Sequence, residues 1–317
     1  MNILITGIHG FVGTNLVQHL GHVHTIYGLD IISPEKKNVV KTFLWEELDT
    51  CQELPTIDVI IHLAGKAHDT KNETDTKVYF DVNYGLTCRI FDFFIKSSAR
   101  KFVFFSSVKA AADSVKGDIL TENVIPHPIG PYGESKIAAE NYILPHLLKH
   151  EGKEIYILRP CMIHGPGNKG NLNLLYNVVS KGIPWPLGMY ENRRSFTSID
   201  NLCFIIDSLL THKIENGIYH IGDDEPLPTN DLIRIICEEL NLPNRTWKVN
   251  KKFIEICASI GTVLHLPLNK ERLRKLTENY VVSNKKIKEA LGVTELPVKA
   301  KDGLRKTISS FKKSEGL

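Results

Sequence analysis

The chain has 317 residues, enough for one large domain or for one domain with a smaller lobe. Hydrophobic residues make up 42% and charged residues 24%, the balance of a soluble globular protein rather than of a disordered or fibrous one. The formal net charge is only +3, and no basic run is long enough to follow a phosphate backbone, so nucleic acid is excluded as the main partner.

The first half alternates between short apolar runs and helical periodicity. Ile3–Thr6 predicts a strand at the very start, with no basic and apolar leader before it. A glycine-rich turn follows, and Phe11–Leu20 predicts a helix. Thr25–Leu29 predicts a strand ending at Asp30, and 58–63 (DVIIHL) a strand running into Ala64 and Gly65. Tyr79–Ser98 predicts a helix, Phe102–Phe105 a strand followed by Ser106 and Ser107, and Tyr132–His150 a second long helix. Ile155–Leu158 predicts a strand closed by Arg159 and Pro160. Near-continuous apolar strands alternating with helices predict an α/β fold of the Rossmann type, a doubly wound parallel sheet covered on both faces.

The texture changes near residue 165. Gly, Pro and Asn become dense through HGPGNKGNLN and KGIPWPLGMYENRRS, which are loop signals. Helices are predicted over Asp200–Leu210 and Thr229–Leu240, with a basic amphipathic helix at the C-terminus. The reading is a dinucleotide domain over 1–165 and a smaller C-terminal substrate-binding lobe over 166–317, some of whose segments return to the core sheet. The apolar stretch 253–268 is broken by Glu255, His265 and Pro267 and is too short and polar to span a bilayer. The six cysteines, at 51, 88, 161, 203, 237 and 257, are scattered without a C-x-x-C pair. Neither a metal site nor a disulfide framework is expected, and a reducing cytoplasmic setting fits.

Two constellations carry chemistry. Gly7-Ile8-His9-Gly10-Phe11-Val12-Gly13 lies between a strand and a helix. In that context Gly7 permits a tight turn, Gly10 admits a pyrophosphate close to the backbone, and Gly13 lets helix and strand pack together. The phosphates would meet the free N–H groups of the helix start, Phe11 and Val12 included. Asp30 can accept two hydrogen bonds from the adenosine ribose and would repel a 2′-phosphate, which favours NAD over NADP. Leu63, Ala64 and Gly65 end the next strand where small residues let a cofactor pass. In the second constellation Tyr132 and Lys136 stand one helical turn apart. An adjacent ammonium favours the phenolate of a group with an ordinary pKa near ~10. Tyr132 could then move a proton at a substrate hydroxyl, with Ser107 sharing the same oxygen.

Taken together, Gly7/Gly10/Gly13, Asp30, HLAG at 62–65, Ser107 and Tyr132-Gly133-x-x-Lys136 resemble the extended short-chain dehydrogenases/reductases, in particular the UDP-sugar 4-epimerases. The resemblance spans nearly the whole chain. It implies NAD as cofactor, Tyr132 as acid/base, Lys136 on the nicotinamide ribose and Ser107 orienting the substrate. It also implies cofactor contacts from Asn83 and from Pro160 and Ile163, in the LRP-x-x-x-HGPG segment beside the nicotinamide.

In the lobe, the segment 169–172 (KGNL) resembles the loop that meets a uridine diphosphate, with Asn171 as its hydrogen-bonding member. Arg194, in the segment 192–201, is in register with an arginine that binds a diphosphate oxygen; Arg193 is extra, and Arg272 or Arg274 is a candidate second contact. A guanidinium suits that task because its fork donates two parallel bonds. Two features depart from the family pattern. Val108-Lys109-Ala110-Ala111 replaces a Tyr-Gly after the serine, and Trp45-Glu46 stands where a Gly-Asp usually contacts adenine. The Asp-Glu pair of dehydratases is missing after Ser107, which lowers 4,6-dehydration as a reading. The expected activity is 4-epimerisation of a UDP-hexose or UDP-N-acetylhexosamine through a 4-keto sugar, for envelope polysaccharide synthesis. The alternative is reduction of a UDP-4-keto-6-deoxy sugar, and a non-catalytic cofactor sensor is disfavoured because Ser107, Tyr132 and Lys136 are all present. The resemblance further implies a homodimer through a four-helix bundle of the two long helices.

Overall fold

Alternation of side chains decides how the apolar runs are used. Along β1 (Asn2–Thr6), Ile3 and Ile5 point to one face of a sheet and Leu4 to the other, and all three are completely buried. The computed structural model describes residues 1–317 except 49, 51–53, 68–74, 169, 265, 267 and 315–317. After β1 come α1 (Phe11–Leu20), β2 (Thr25–Asp30), β3 (Lys41–Leu44) and β4 (Val59–His62). Then come α2 (Thr76–Tyr79), a π-helical turn (Phe80–Gly85), α3 (Leu86–Lys96), β5 (Lys101–Phe105), α4 (Val108–Ala111), α5 (Pro131–Ile143) and β6 (Glu154–Pro160).

The rest of the chain supplies β7 (Met162–His164), α6 (Asn171–Ser180), β8 (Arg193–Arg194), β9 (Phe196–Ser198), α7 (Ile199–Thr211), β10 (Gly217–Ile221) and β11 (Leu227–Pro228). Five helices follow: α8 (Thr229–Leu240), α9 (Lys251–Val263), α10 (Lys270–Thr277), α11 (Lys285–Leu291) and α12 (Ala300–Ser314). The main sheet has seven parallel strands in the order β10-β6-β5-β4-β1-β2-β3. The strand order reverses at β1, so a crevice opens beyond the C-terminal ends of β1 and β4, the place where doubly wound sheets bind ligands.

Both faces of the sheet are covered. Ile3, Ile5, Val103 and Leu158 pack against α1 and α7 through Leu16, Leu20, Leu202 and Ile206. Leu4, Ile60, Phe102 and Phe104 pack against α3 and α5 through Ile90, Phe94, Ala139 and Ile143. A separate core joins α6, α8 and α12 around Tyr176, Ile236 and Phe311. Thus α7 and β10 return to the main sheet, while α6, α8 and α12 build the lobe beside it.

Two helices differ from their periodicity. The 79–98 stretch is not one α-helix: it opens with the π-helical turn, where Thr87 Oγ1 donates to the Asn83 carbonyl at 2.6 Å and the Asn83 side chain reaches the backbone of Lys66. The 132–150 stretch ends at Ile143, because Pro145 has no N–H and its ring collides with the preceding turn; a 3₁₀ turn (Leu144–His146) follows. Among the described residues no helix is long and apolar enough to cross a membrane.

Candidate active site

The glycine turn closes the end of β1. Gly7 adopts φ +66°, and its N–H donates to the Leu29 carbonyl at 2.9 Å. A Cβ there would stand 2.9 Å from the Ala64 backbone, so both conformation and space demand glycine. A Cβ on Gly13 would lie 2.7 Å from the carbonyls of Gly7 and Ile8, so the start of α1 packs directly on the turn. Gly10 caps α1 without a side-chain partner, leaving the N–H groups of the first turn facing the crevice. Asp30, at the tip of β2, turns its carboxylate back to this turn: Oδ2 accepts from His9 N at 3.1 Å and Oδ1 from Ile31 N at 2.8 Å.

A cleft of about 630 Å³ begins at this turn. Gly7, Gly10, Phe11, Val12, Gly13, Leu63 and Gly65 form its near wall. Ser107, Tyr132 and Lys136 also line it, as do Pro160, Ile163, Asn171 and Arg194. Asp30, Ala64 and Asn83 are outside the cleft wall.

The part of the cleft around Ser107 is built by α5 lying against the end of β5. Ser107 caps α4, its Oγ accepting from Lys109 N at 3.2 Å, and is buried. Burial pushes the Tyr132 phenol above its usual range, and the neighbouring Ser107 hydroxyl offsets part of the rise. Lys136 is buried, and its Nζ donates to the Phe105 carbonyl at 2.8 Å. Burial pulls its ammonium down to about 8, against the upward pull of Glu140 one turn further along α5. His62 lies beneath, completely buried, with Nδ1 2.6 Å from Thr6 Oγ1 and Nε2 2.9 Å from Thr87 Oγ1. Burial, helped by the Lys136 charge, holds it well below the ordinary histidine range, so the imidazole is neutral.

Asn83 works from behind. Its Oδ1 accepts from Lys66 N at 2.8 Å, and its Nδ2 donates to the Lys66 carbonyl at 3.1 Å and to Ser135 Oγ at 2.9 Å. It thereby ties the Gly65 loop to α5. A Cβ on Gly65 would sit 2.9 Å from Asn83 Oδ1 and 3.1 Å from Lys136 Nζ. Below them runs a buried ion pair. Arg159 Nη2 meets Glu140 Oε2 at 2.6 Å, and Nε meets Oε1 at 2.9 Å and Oε2 at 3.2 Å. Ser106 Oγ also donates to Glu140.

Arg194 is half-buried, and its Nη1 donates to the Lys275 carbonyl at 2.5 Å. Burial pulls its guanidinium below the usual range, with Glu278 opposing. Arg193 is exposed and bonded through its backbone to Asn279. Arg274 pairs with Asp113 at 3.2 Å and Glu278 at 3.0 Å; neither it nor Arg272 lines the cleft. Glu46 is exposed and away from the cleft, and Lys169 lies outside the described residues.

Several wall residues are not marked by any sequence motif, Asn168, Lys109 and Tyr280 among them. Asn168 is buried, holding Gly170 N at 2.8 Å and donating to the Ile163 carbonyl at 3.3 Å. Lys109 spans the mouth, its Nζ 2.7 Å from the Asp113 carbonyl and 4.4 Å from the Tyr280 ring centroid. The Tyr280 hydroxyl donates to the Ala112 carbonyl at 2.7 Å. Position two residues after Ser107 was the available signal for Lys109; Tyr280 had none.

The donor set fits a dinucleotide: the near wall offers backbone N–H groups without Cβ obstruction, Asp30 is next to it, and the Lys136 ammonium stands across the cleft. Among the described residues no cluster of three or more His, Cys, Asp or Glu could hold a metal ion.

Comparison with known proteins agrees with this geometry. Residues 3–222 match the family model "NAD dependent epimerase/dehydratase family". A UDP-glucose 4-epimerase of Vibrio cholerae is 33% identical over 262 residues, 78% of each chain. A GDP-6-deoxy-D-mannose reductase of Pseudomonas aeruginosa is 24% identical, over 74% of this chain and 79% of that protein. Among solved structures, the UDP-glucose 4-epimerase of Thermotoga maritima with UDP-glucose superposes with a TM-score of 0.77 at 23% identity, covering 99% of this chain and all of the other.

Proposed function

Because this chain belongs to the NAD-dependent epimerase/dehydratase family, we propose that it is a nucleotide-sugar 4-epimerase acting on a UDP-hexose or UDP-N-acetylhexosamine through a transient 4-keto sugar. One observation carries the reading. A hydroxyl pair, Ser107 and Tyr132, lines the same single cleft as the glycine cradle and the half-buried Arg194. That arrangement supports a substrate with its reacting hydroxyl at the pair and a diphosphate at the arginine.

The family's cofactor is NAD, which when bound accepts a hydride from C4 of the sugar and returns it. The N–H groups of Phe11, Val12 and Gly13 would hold its pyrophosphate, Asp30 its adenosine ribose and Lys136 its nicotinamide ribose, with backbone groups of Pro160 and Ile163 at the carboxamide. Tyr132 takes the proton from the C4 hydroxyl and later gives it back, and Ser107 holds the same oxygen. Arg194 and Asn171 anchor the diphosphate end while the sugar turns about that tether. Neutral His62 adds no positive charge beneath Lys136, which keeps the ammonium available to the ribose.

Reduction of a UDP-4-keto-6-deoxy sugar uses the same residues, and the reductase among the relatives supports it as a second reading. The envelope-polysaccharide role, a cytoplasmic setting and a homodimer belong to the proposal. The dimer face would be α3 with α5, where Tyr84 is exposed beside Tyr142, whose hydroxyl donates to Asp92 at 2.6 Å. Light scattering that finds a monomer at micromolar concentration would remove that part.

The test of function is purification without added cofactor, followed by incubation with UDP-hexose pairs. Co-purified NAD and interconversion at C4 are expected, with Tyr132→Phe retaining NAD but losing turnover. Stoichiometric loss of absorbance at 340 nm with a keto sugar would select the reductase instead.

A further inference from the structure

Helix α9 carries two apolar faces, and only one is used. Ile254, Ala258 and Gly261 turn inward, where Ile254 and Ala258 share a small core with Leu187 and Leu273. Phe253, Ile256, Ile260, Val263 and the following Leu264 are 59%, 57%, 51%, 75% and 61% exposed. Their spacing of i, i+3, i+7, i+10 and i+11 is that of one helical stripe. A helix that needs only an inward face to hold its place has no packing reason for a second.

The charge around this stripe is as uneven as its hydrophobicity. Residues 245–278 hold eight Lys and Arg against three Asp and Glu, a local net charge of +5 in a chain whose total is +3. Lys252 flanks the stripe and is exposed, as are Lys251 and Lys270. An apolar stripe edged by lysines on an exposed helix is the composition of an interfacial helix on an anionic bilayer. A protein partner of equal apolar area would bring no reason for the surplus of positive charge.

We propose that the outer face of α9, with its flanking lysines, docks this protein on an anionic phospholipid surface. The helix lies in the plane of the headgroups, Phe253, Ile256, Ile260 and Val263 enter the acyl boundary, and no segment crosses the bilayer. Docking has a direction. Helix α10 packs on α9 and also holds a residue of the cleft: the Lys275 carbonyl receives Arg194, while Arg274 pairs with Asp113 and the Leu276 carbonyl receives Asn192 at 3.2 Å. Seated by α9, the enzyme holds the diphosphate end of its cleft next to the membrane. This inference rests on the surface alone and stands whichever sugar the cleft takes.

The test is co-sedimentation of the full-length protein with vesicles of phosphatidylcholine alone or mixed equally with phosphatidylglycerol. Binding to the mixed vesicles is expected, weaker by about tenfold or more on pure phosphatidylcholine and falling with salt. Ile256→Glu/Ile260→Glu should lose binding by about tenfold or more while keeping its melting temperature and NAD content, since both positions are exposed. Lys251→Glu/Lys252→Glu tests the charge separately, should the first variant fold poorly. Wild-type protein left in the supernatant with anionic vesicles overturns the proposal. So does undiminished binding by both variants. If vesicles are ignored and the isoleucine variant instead changes the sedimentation coefficient, the stripe is a contact between copies and the membrane reading is wrong.

Discussion

Replacing Glu140 with glutamine strands a guanidinium inside the protein. Arg159 is 1% exposed, and its three contacts with Glu140, at 2.6, 2.9 and 3.2 Å, are made to the group that would lose its charge. Breaking a buried pair by removing one partner costs about 3–5 kcal/mol, because the remaining charge is uncompensated. For a chain of this size each kcal/mol lowers Tm by about 2 °C, so calorimetry should record a fall of roughly 6–10 °C. The substitution also removes the carboxylate that holds the Lys136 ammonium up, so its pKa falls further below its present value of about 8. The alkaline limb of the pH–rate profile should move to lower pH. Glu140→Gln combined with Arg159→Met should recover most of the stability, since removing both charges is often neutral, but not the pH profile. A Tm within about 1 °C of wild type would refute the claim that this pair is a buried charge couple. An unmoved pH profile would refute its link to Lys136.

Gly7→Ala forces a Cβ to within 2.9 Å of the Ala64 backbone at φ +66°, so the turn must move. Isothermal titration should show NAD affinity reduced by about tenfold or more, the αL penalty alone being about 1–2 kcal/mol. Lys136 has its pKa lowered from 10.5 to about 8. Between those values the unfolded chain binds a proton that the folded chain does not, so stability rises with pH across that window. The full penalty of about 3 kcal/mol is felt below it. Urea melts of Lys136→Met should lack that slope; an equal slope would show that Lys136 does not carry it. Arg194→Ala should raise KM by roughly tenfold to a hundredfold through loss of charged hydrogen bonds, and Arg194→Lys should not restore it, for want of the fork. A fall in kcat with unchanged KM would place Arg194 in the chemistry rather than at the diphosphate.

The strand–turn–helix start and the Tyr132/Lys136 spacing are legible in the sequence because each is local: a few adjacent residues suffice to define the turn or the helix face. The sheet is legible for the same reason along β1, β4 and β5, which are buried on both sides and therefore apolar through their centres. Four-residue β3 contains Lys41 and Thr42, and β10 contains His220, so neither reads as a strand without its neighbours. The π-helical turn has no local signature either. It is maintained by Asn83 reaching Lys66 and Ser135, contacts that exist only after the sheet has formed. Lys109 and Tyr280 illustrate the limit most plainly. Their stacking joins segments far apart in the chain, and an exposed lysine and a core tyrosine would look the same on the page.

In the proposed reaction one hydride leaves C4 of the sugar and returns to it while Tyr132 moves only the proton of the hydroxyl. Incubating the enzyme with a UDP-hexose in D₂O, with no added cofactor, and following C4 by NMR tests this directly. A mixture of the two C4 epimers is expected, with protium retained at C4 in both. Deuterium incorporated at C4, or a single epimer unchanged at the end, would contradict it.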